Sequence, residues 1–151
     1  DYVLLSHHYI ENPVNQTNYK RYLLRLLDII NRFDGYHALA HLDFPRRYHE
    51  YNEPFSKDLF DVIGEILKTL IKNGKSLELN TAAMSLYGEP NPSIEILKLY
   101  KSLGGRNITI GSDAHELEDI GKGINDGIEI LKKLGYNYIL IFDIEWKEVR
   151  I

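Results

Sequence analysis

The chain has 151 residues, 44% of them hydrophobic and 26% charged, with a formal charge of -4 and no cysteine. One domain of this size buries a sizeable core, and the lack of cysteine excludes a disulfide framework and any thiolate metal site. The mild acidity without a basic run argues against a nucleic-acid or membrane surface. No apolar run approaches the roughly 20 residues of a membrane span and no signal peptide is visible, so the expected compartment is the cytoplasm. The chain opens at Asp1 and enters an apolar run at once, which reads as the later part of a longer polypeptide.

Residues 2–6 read as a strand that runs straight into His7 and His8. Neighbours in an extended segment face opposite sides, so one of the two imidazoles points inward. Thr17 or Asn18 is the expected cap of a first helix, whose apolar stripe is Leu23, Leu26, Leu27 and Ile30. Residues 36–42 form a second expected strand, with His41, Asp43 and the loop 44–48 at its end. Pro54 closes that loop, and Ser56 caps a second helix lined by Phe60, Ile63, Leu67, Leu70 and Ile71, ending at Asn73-Gly74. A short third strand, 76–79, leads into Asn80. A polar, Pro-containing loop (87–92) then precedes Ser93, which caps a third helix carrying Ile94, Leu97 and Tyr100.

After Gly104-Gly105 comes the stretch 108–115, Ile-Thr-Ile-Gly-Ser-Asp-Ala-His. Its β-branched residues read as a buried strand ending near Gly111, with Asp113 and His115 just past it. Ile120, Ile124, Ile128 and Leu131 stripe a fourth helix. Residues 138–142 form a fifth strand, and 146–151 a further short one. Strands alternating with amphipathic helices imply an α/β fold with parallel strands and right-handed crossovers.

The chemistry collects at the strand ends. His8 follows the first, His41 and Asp43 the second, Glu78 and Asn80 lie at the third, and Asp113 and His115 follow the fourth. In a parallel array these ends share one side, where barrels and open sheets both keep their active sites. Imidazole and carboxylate there suit zinc, manganese or iron. The blander alternatives are a loop histidine at position 8, a core histidine at 41, a turn former at Asp43 and a helix cap at Asp113. His37 and His49 read as structural or surface residues. Arg46 and Arg47 lie in the loop after the second strand, where a guanidinium can clamp a phosphate or carboxylate bidentately.

These motifs, in this order, resemble the polymerase and histidinol phosphatase (PHP) superfamily, and more closely its bacterial PHP-type histidinol-phosphatase branch. The similar segments are Leu-Ser-His-His-Tyr-Ile (5–10), His-Leu-Asp (41–43), Leu-Glu-Leu-Asn-Thr (77–81), Gly-Ser-Asp-Ala-His (111–115) and Asp-Ile-Gly (119–121). The resemblance implies part of a distorted (β/α)7 TIM-like barrel, residues 1–151 forming the C-terminal part of a single PHP domain. It implies a trinuclear metal site in the complete protein, with His8 and His41 sharing one ion, Asp113 on a second and His115 on the third. It also implies hydrolysis of L-histidinol phosphate in histidine biosynthesis, with Arg47 or Arg46 gripping the phosphate. Glu78 and Asn80 fall on the family pattern as supporting or substrate-facing groups.

The family's opening His-x-His strand has no counterpart here, since no His-x-His occurs in the sequence. This chain by itself is therefore expected to be nearly inactive, with an open barrel edge that invites self-association. The competing expectations are a PHP exonuclease-like phosphodiesterase and a scaffold without a complete metal site.

Overall fold

A computed structural model describes residues 1–48 and 56–151. His49 and Pro54, read above as a surface histidine and a loop closer, lie outside the described residues. Four parallel strands form one sheet in the order β1-β2-β3-β4: β1 Leu4–Leu5, β2 Ala38–Leu39, β3 Ser76–Asn80 and β4 Ile108–Gly111. The register pairs Leu4 with Ala38, Ala38 with Ser76, and Leu77 with Ile108. The first two strands are shorter at both ends than the expected runs 2–6 and 36–42. Sequential neighbours joined by crossover helices are what parallel pairing requires.

The helices follow their apolar stripes. In α1 (Gln16–Arg32) the buried face is Tyr19, Tyr22, Leu23, Leu26 and Ile30. Its cap is Asn15 rather than Thr17 or Asn18: the Asn15 side chain accepts from the Asn18 backbone N–H at 2.9 Å, which starts the helix two or three residues earlier. Ser56 caps α2 (Lys57–Lys72) as expected, and Leu59, Ile63, Ile66, Leu67 and Leu70 turn inward. A single turn, α3 (Met84–Tyr87), precedes α4 (Ile94–Ser102), capped by Ser93 with Ile96, Leu97 and Tyr100 buried. The helix α1 packs on α2, and α2 on α4 and β3. Leu77 and Leu79 alternate with Glu78 and Asn80 along β3, so the apolar pair and the polar pair take opposite faces.

Two expectations need correction. Ile120 is not helical and is 69% exposed. Gly121 and Gly123 sit at φ 76 and 74 and break the chain before α5 (Ile124–Lys133), although Ile120 continues the i, i+4 pattern. The strand β5 (Tyr138–Asp143) touches β4, but among the described residues its ladder partner is β6 (Glu145–Arg150), antiparallel. A reversal at Ile144, φ 65, produces this hairpin. Tyr2 stacks on Phe142 and meets Trp146 edge-on, with ring centroids 5.8 and 5.7 Å apart, which holds the hairpin against the N-terminal end of the sheet.

Gly105 leads from α4 toward β4 with its missing side chain pressed against the ring of Tyr100. That ring is buried, and its hydroxyl donates to the Asn107 carbonyl at 3.3 Å, so it has nowhere to retreat. Gly105→Ala is expected to cost about 1–3 kcal/mol of stability through overpacking, read from denaturant midpoints.

Candidate active site

The site lies beyond the C-terminal ends of β1 to β4. The His8 ring follows β1 and lies 5.0 Å, centroid to centroid, from that of His41, which follows β2. Phe44 packs against both rings, at 4.8 and 5.2 Å. His7 turns the other way and stacks on Tyr22 at 4.8 Å, so of the two neighbouring imidazoles His8 is the one in the site. The His8 Nδ1 lies 3.5 Å from the Ser6 hydroxyl.

His41 is 4% exposed, and its Nδ1 is buried without a hydrogen-bond partner. A buried orphan nitrogen is costly, and a bound ligand is one of the few reasons to keep one. Burial, reinforced by the positive charge of Arg47, pulls this imidazole down to about 4, so it is neutral at pH 7 with its lone pair available. Its backbone takes φ 23, and its N–H donates to Glu78 Oε2 at 3.2 Å. Glu78 also accepts from Asn80 Nδ2 at 3.3 Å, and burial holds its carboxyl above the ordinary range. A Cβ at position 111 would stand 2.7 Å from Glu78 Oε1, so any residue but glycine there pushes this carboxylate aside.

Arg47 crosses the site. Its Nη1 pairs with Asp113 Oδ2 at 2.9 Å, its Nη2 donates to Asn80 Oδ1 at 2.9 Å, and its Nε donates to Asn91 Oδ1 at 3.2 Å. Burial pushes the Asp113 carboxyl up, but the hydrogen bond and charge of Arg47 outweigh it and leave the group below its ordinary value. Asp113 also sits in left-handed backbone, φ 53. His115 is exposed and directs Nδ1 at the Asp113 carbonyl, 2.8 Å away. A carbonyl only accepts, so Nδ1 carries the proton and the Nε2 lone pair is left free, the tautomer a metal ligand uses. Beside Asp113 opens a cleft lined by Thr81, Ser112, Asp119, Lys122 and Asp126.

Arg46 is engaged elsewhere, bonded to Asp43 at 3.3 Å and to Glu89. Asp43 is wholly buried, accepting from Asn91 Nδ2 at 2.8 Å and from the Ser93 backbone N–H at 2.9 Å. It works as a clamp on the loop before α4. Asn91 went unread in the sequence: a polar residue in a Pro-rich loop gives no signal of a partner 48 residues away.

The donors suit a hard or borderline divalent ion, with two imidazoles adjacent, one of them orphaned, and a carboxylate oxygen of Asp113 not used by Arg47. Among the described residues, however, no three His, Asp or Glu side chains gather closely enough to hold one ion. His8 and His41 supply two nitrogens of a coordination shell whose other ligands these residues do not provide. Among the described residues, no helix is long and apolar enough to cross a membrane.

Parallel strands with imidazole, carboxylate and guanidinium at one set of ends define an α/β protein with a polar rim site. No protein-family model matches the sequence. The chain does have homologues named histidinol-phosphatase. It is 43% identical over 142 residues to a protein named "Probable histidinol-phosphatase" from Thermotoga maritima, the match covering 93% of this chain and 59% of that one. It is 31% identical over 128 residues to the histidinol-phosphatase of Lactococcus lactis, covering 82% of this chain and 46% of the relative. A crystal structure of histidinol phosphate phosphatase from Lactococcus lactis, complexed with zinc, L-histidinol and phosphate, superposes with a TM-score of 0.74 at 25% identity. It covers 97% of this chain and 62% of that one. The chain thus spans between 46% and 59% of the length of these curated relatives.

Proposed function

We propose that this chain is the C-terminal part of a single PHP-type domain, and that the whole protein is a metal-dependent phosphomonoesterase acting on L-histidinol phosphate. The observation that carries this reading is the meeting of His8, His41, Arg47 and Asp113 at the ends of successive parallel strands. The similarity to histidinol-phosphatases supports the substrate, and the zinc in the Lactococcus lactis structure supports the choice of metal.

In this reading His8 and His41 hold one divalent ion, and Asp113 and His115 offer ligands to neighbouring ones. When bound there, such ions would supply Lewis acidity toward a phosphate ester and lower the pKa of a water toward neutrality. His41, already neutral, gives up no proton to become a ligand. Glu78 fixes the His41 backbone, and the His115 tautomer is set by the Asp113 carbonyl. Arg47 takes the phosphate, since it lies beside His41 and Asp113 while Arg46 pairs with Asp43 and Glu89 away from them. The cleft beside Asp113 receives the organic part of the ester. The match leaves part of the Thermotoga maritima relative uncovered, and in this reading the remaining ligands belong to the corresponding part of the whole protein, so the 151-residue chain alone has little turnover.

The test is phosphate release from L-histidinol phosphate by the full-length protein with zinc. Turnover should fall at least about tenfold on chelation and return when zinc is restored. No release, or release indifferent to chelator, would overturn the assignment.

A further inference from the structure

We infer that Asn91, with Asp43 behind it, is a positioning residue that sets the Arg47 guanidinium in the one orientation that leaves a matched pair of N–H groups for a phosphate oxyanion. The inference deepens the proposed function and rests on Arg47 being the phosphate grip.

A guanidinium has five N–H groups in a fixed planar fork. In Arg47 three are committed: Nε to Asn91, one on Nη2 to Asn80 and one on Nη1 to Asp113. One N–H is left on each terminal nitrogen, and such a pair, side by side at the end of the fork, can meet two oxygens of a tetrahedral anion bidentately. The Nε contact determines how the fork is rotated about its stem. It depends on the Asn91 amide presenting oxygen rather than nitrogen to Arg47.

Asp43 decides which end of that amide faces which way. Its Oδ1 accepts from Asn91 Nδ2 at 2.8 Å, so the Asn91 oxygen is turned to Arg47. Its Oδ2 is held by the Ser93 N–H and by Arg46 Nη1, at 2.9 and 3.3 Å. The side chain is fully enclosed, and Asn91 is 1% exposed. The Asn80 and Asn91 backbones also bond reciprocally, at 2.7 and 3.0 Å, so the two amides that receive Arg47 form one rigid unit. The Tyr87 hydroxyl donates to the Arg47 carbonyl at 2.5 Å and fixes the base of the stem. Adjacent arginines therefore differ in duty: Arg46 anchors the clamp, and Arg47 is presented by it.

Asp43→Asn is the decisive variant because it hardly changes shape. Ser93 and Arg46 still demand an acceptor, so the new amide places its oxygen toward them and its NH2 toward Asn91. The Asn91 amide must then flip, setting its own NH2 against the Arg47 Nε–H. In the full-length zinc-loaded protein, Asp43→Asn and Asn91→Ala should each raise KM for L-histidinol phosphate about 5- to 20-fold, with kcat changed less than about twofold. Arg47→Ala should raise KM more, and Arg47→Ala combined with either variant should be no worse than Arg47→Ala alone. In parallel, the Arg47 Nε–H proton resonance, assigned by its loss in Arg47→Ala, should be sharp in the parent and lost to exchange in both variants.

Additive effects in the double variants, or an unchanged Nε–H resonance in Asp43→Asn, would overturn the inference. A parent without turnover, or Arg47→Ala with unchanged KM, would instead strike the proposed function. The resonance would then still decide whether Asn91 sets the guanidinium.

Discussion

His41→Ala in the full-length protein is expected to lower phosphate release by more than about 100-fold while leaving the fold intact. Changes to groups that merely support a metal ligand typically cost about 10- to 100-fold, and loss of a ligand costs more. The fold should survive because the His41 Nδ1 has no hydrogen bond to lose, and the removed imidazole is a desolvated polar group. Zinc content, activity and melting temperature measured on one preparation separate the cases. Reduced zinc and activity with a melting temperature near that of the parent is the expected result. Full zinc content and full activity would remove His41 from the ligand set. Glu78→Gln, whose carboxylate accepts from the His41 backbone and from Asn80, should fall in the milder range.

The second large effect is acid sensitivity of the metal-free chain. The His41 pKa is 6.5 when exposed and about 4 in the fold, so the unfolded chain takes up the proton first as pH falls. Between those values the unfolded state binds more protons than the native one, and stability falls with falling pH. The full difference is about 3 kcal/mol, complete by about pH 4. Glu78 and Asp43 act in the opposite direction: burial raises both carboxyls, so the native state takes up their protons first on acidification. Asp113, with its carboxyl lowered, adds to acid sensitivity only below the ordinary carboxylate value.

The difference between the parent and His41→Asn isolates the imidazole, because asparagine tolerates the left-handed backbone at that position. Denaturant unfolding of both at pH 7 and pH 4 should show the parent losing about 3 kcal/mol more than the variant. Parallel losses would mean that His41 is protonated in the fold.

Much of the scaffold was legible because period and caps are local signals. Ser56, Ser93 and the apolar stripes of α1, α2 and α4 follow from neighbours within a turn or two. The end of β5 was not, since residues 138–142 read equally well as a buried parallel strand, and the reversal at Ile144 carries no Gly or Asn-Gly signature. Ile120 was misplaced because the pattern ran on while two left-handed glycines stopped the helix. Within the site, strand ends marked His8, His41, Asp113 and His115, but not how Arg47 would lie among them. The division between Arg46 and Arg47 depends on Asp43, Glu89 and Asn91, contacts that only the folded chain brings together.

His41 and Asp113 share with Ile144 an uncommon trait, positive backbone angles of φ 23, 53 and 65. Non-glycine residues persist in such regions only where the surroundings over-determine them, and they cluster where chemistry is done. Selection for thermal hardiness alone would thus erode His41 and Asp113 along with Ile144, replacing them with glycine or asparagine and leaving a sturdier chain without its site. Variants of this chain that gain melting temperature deserve sequencing at residues 41, 113 and 144.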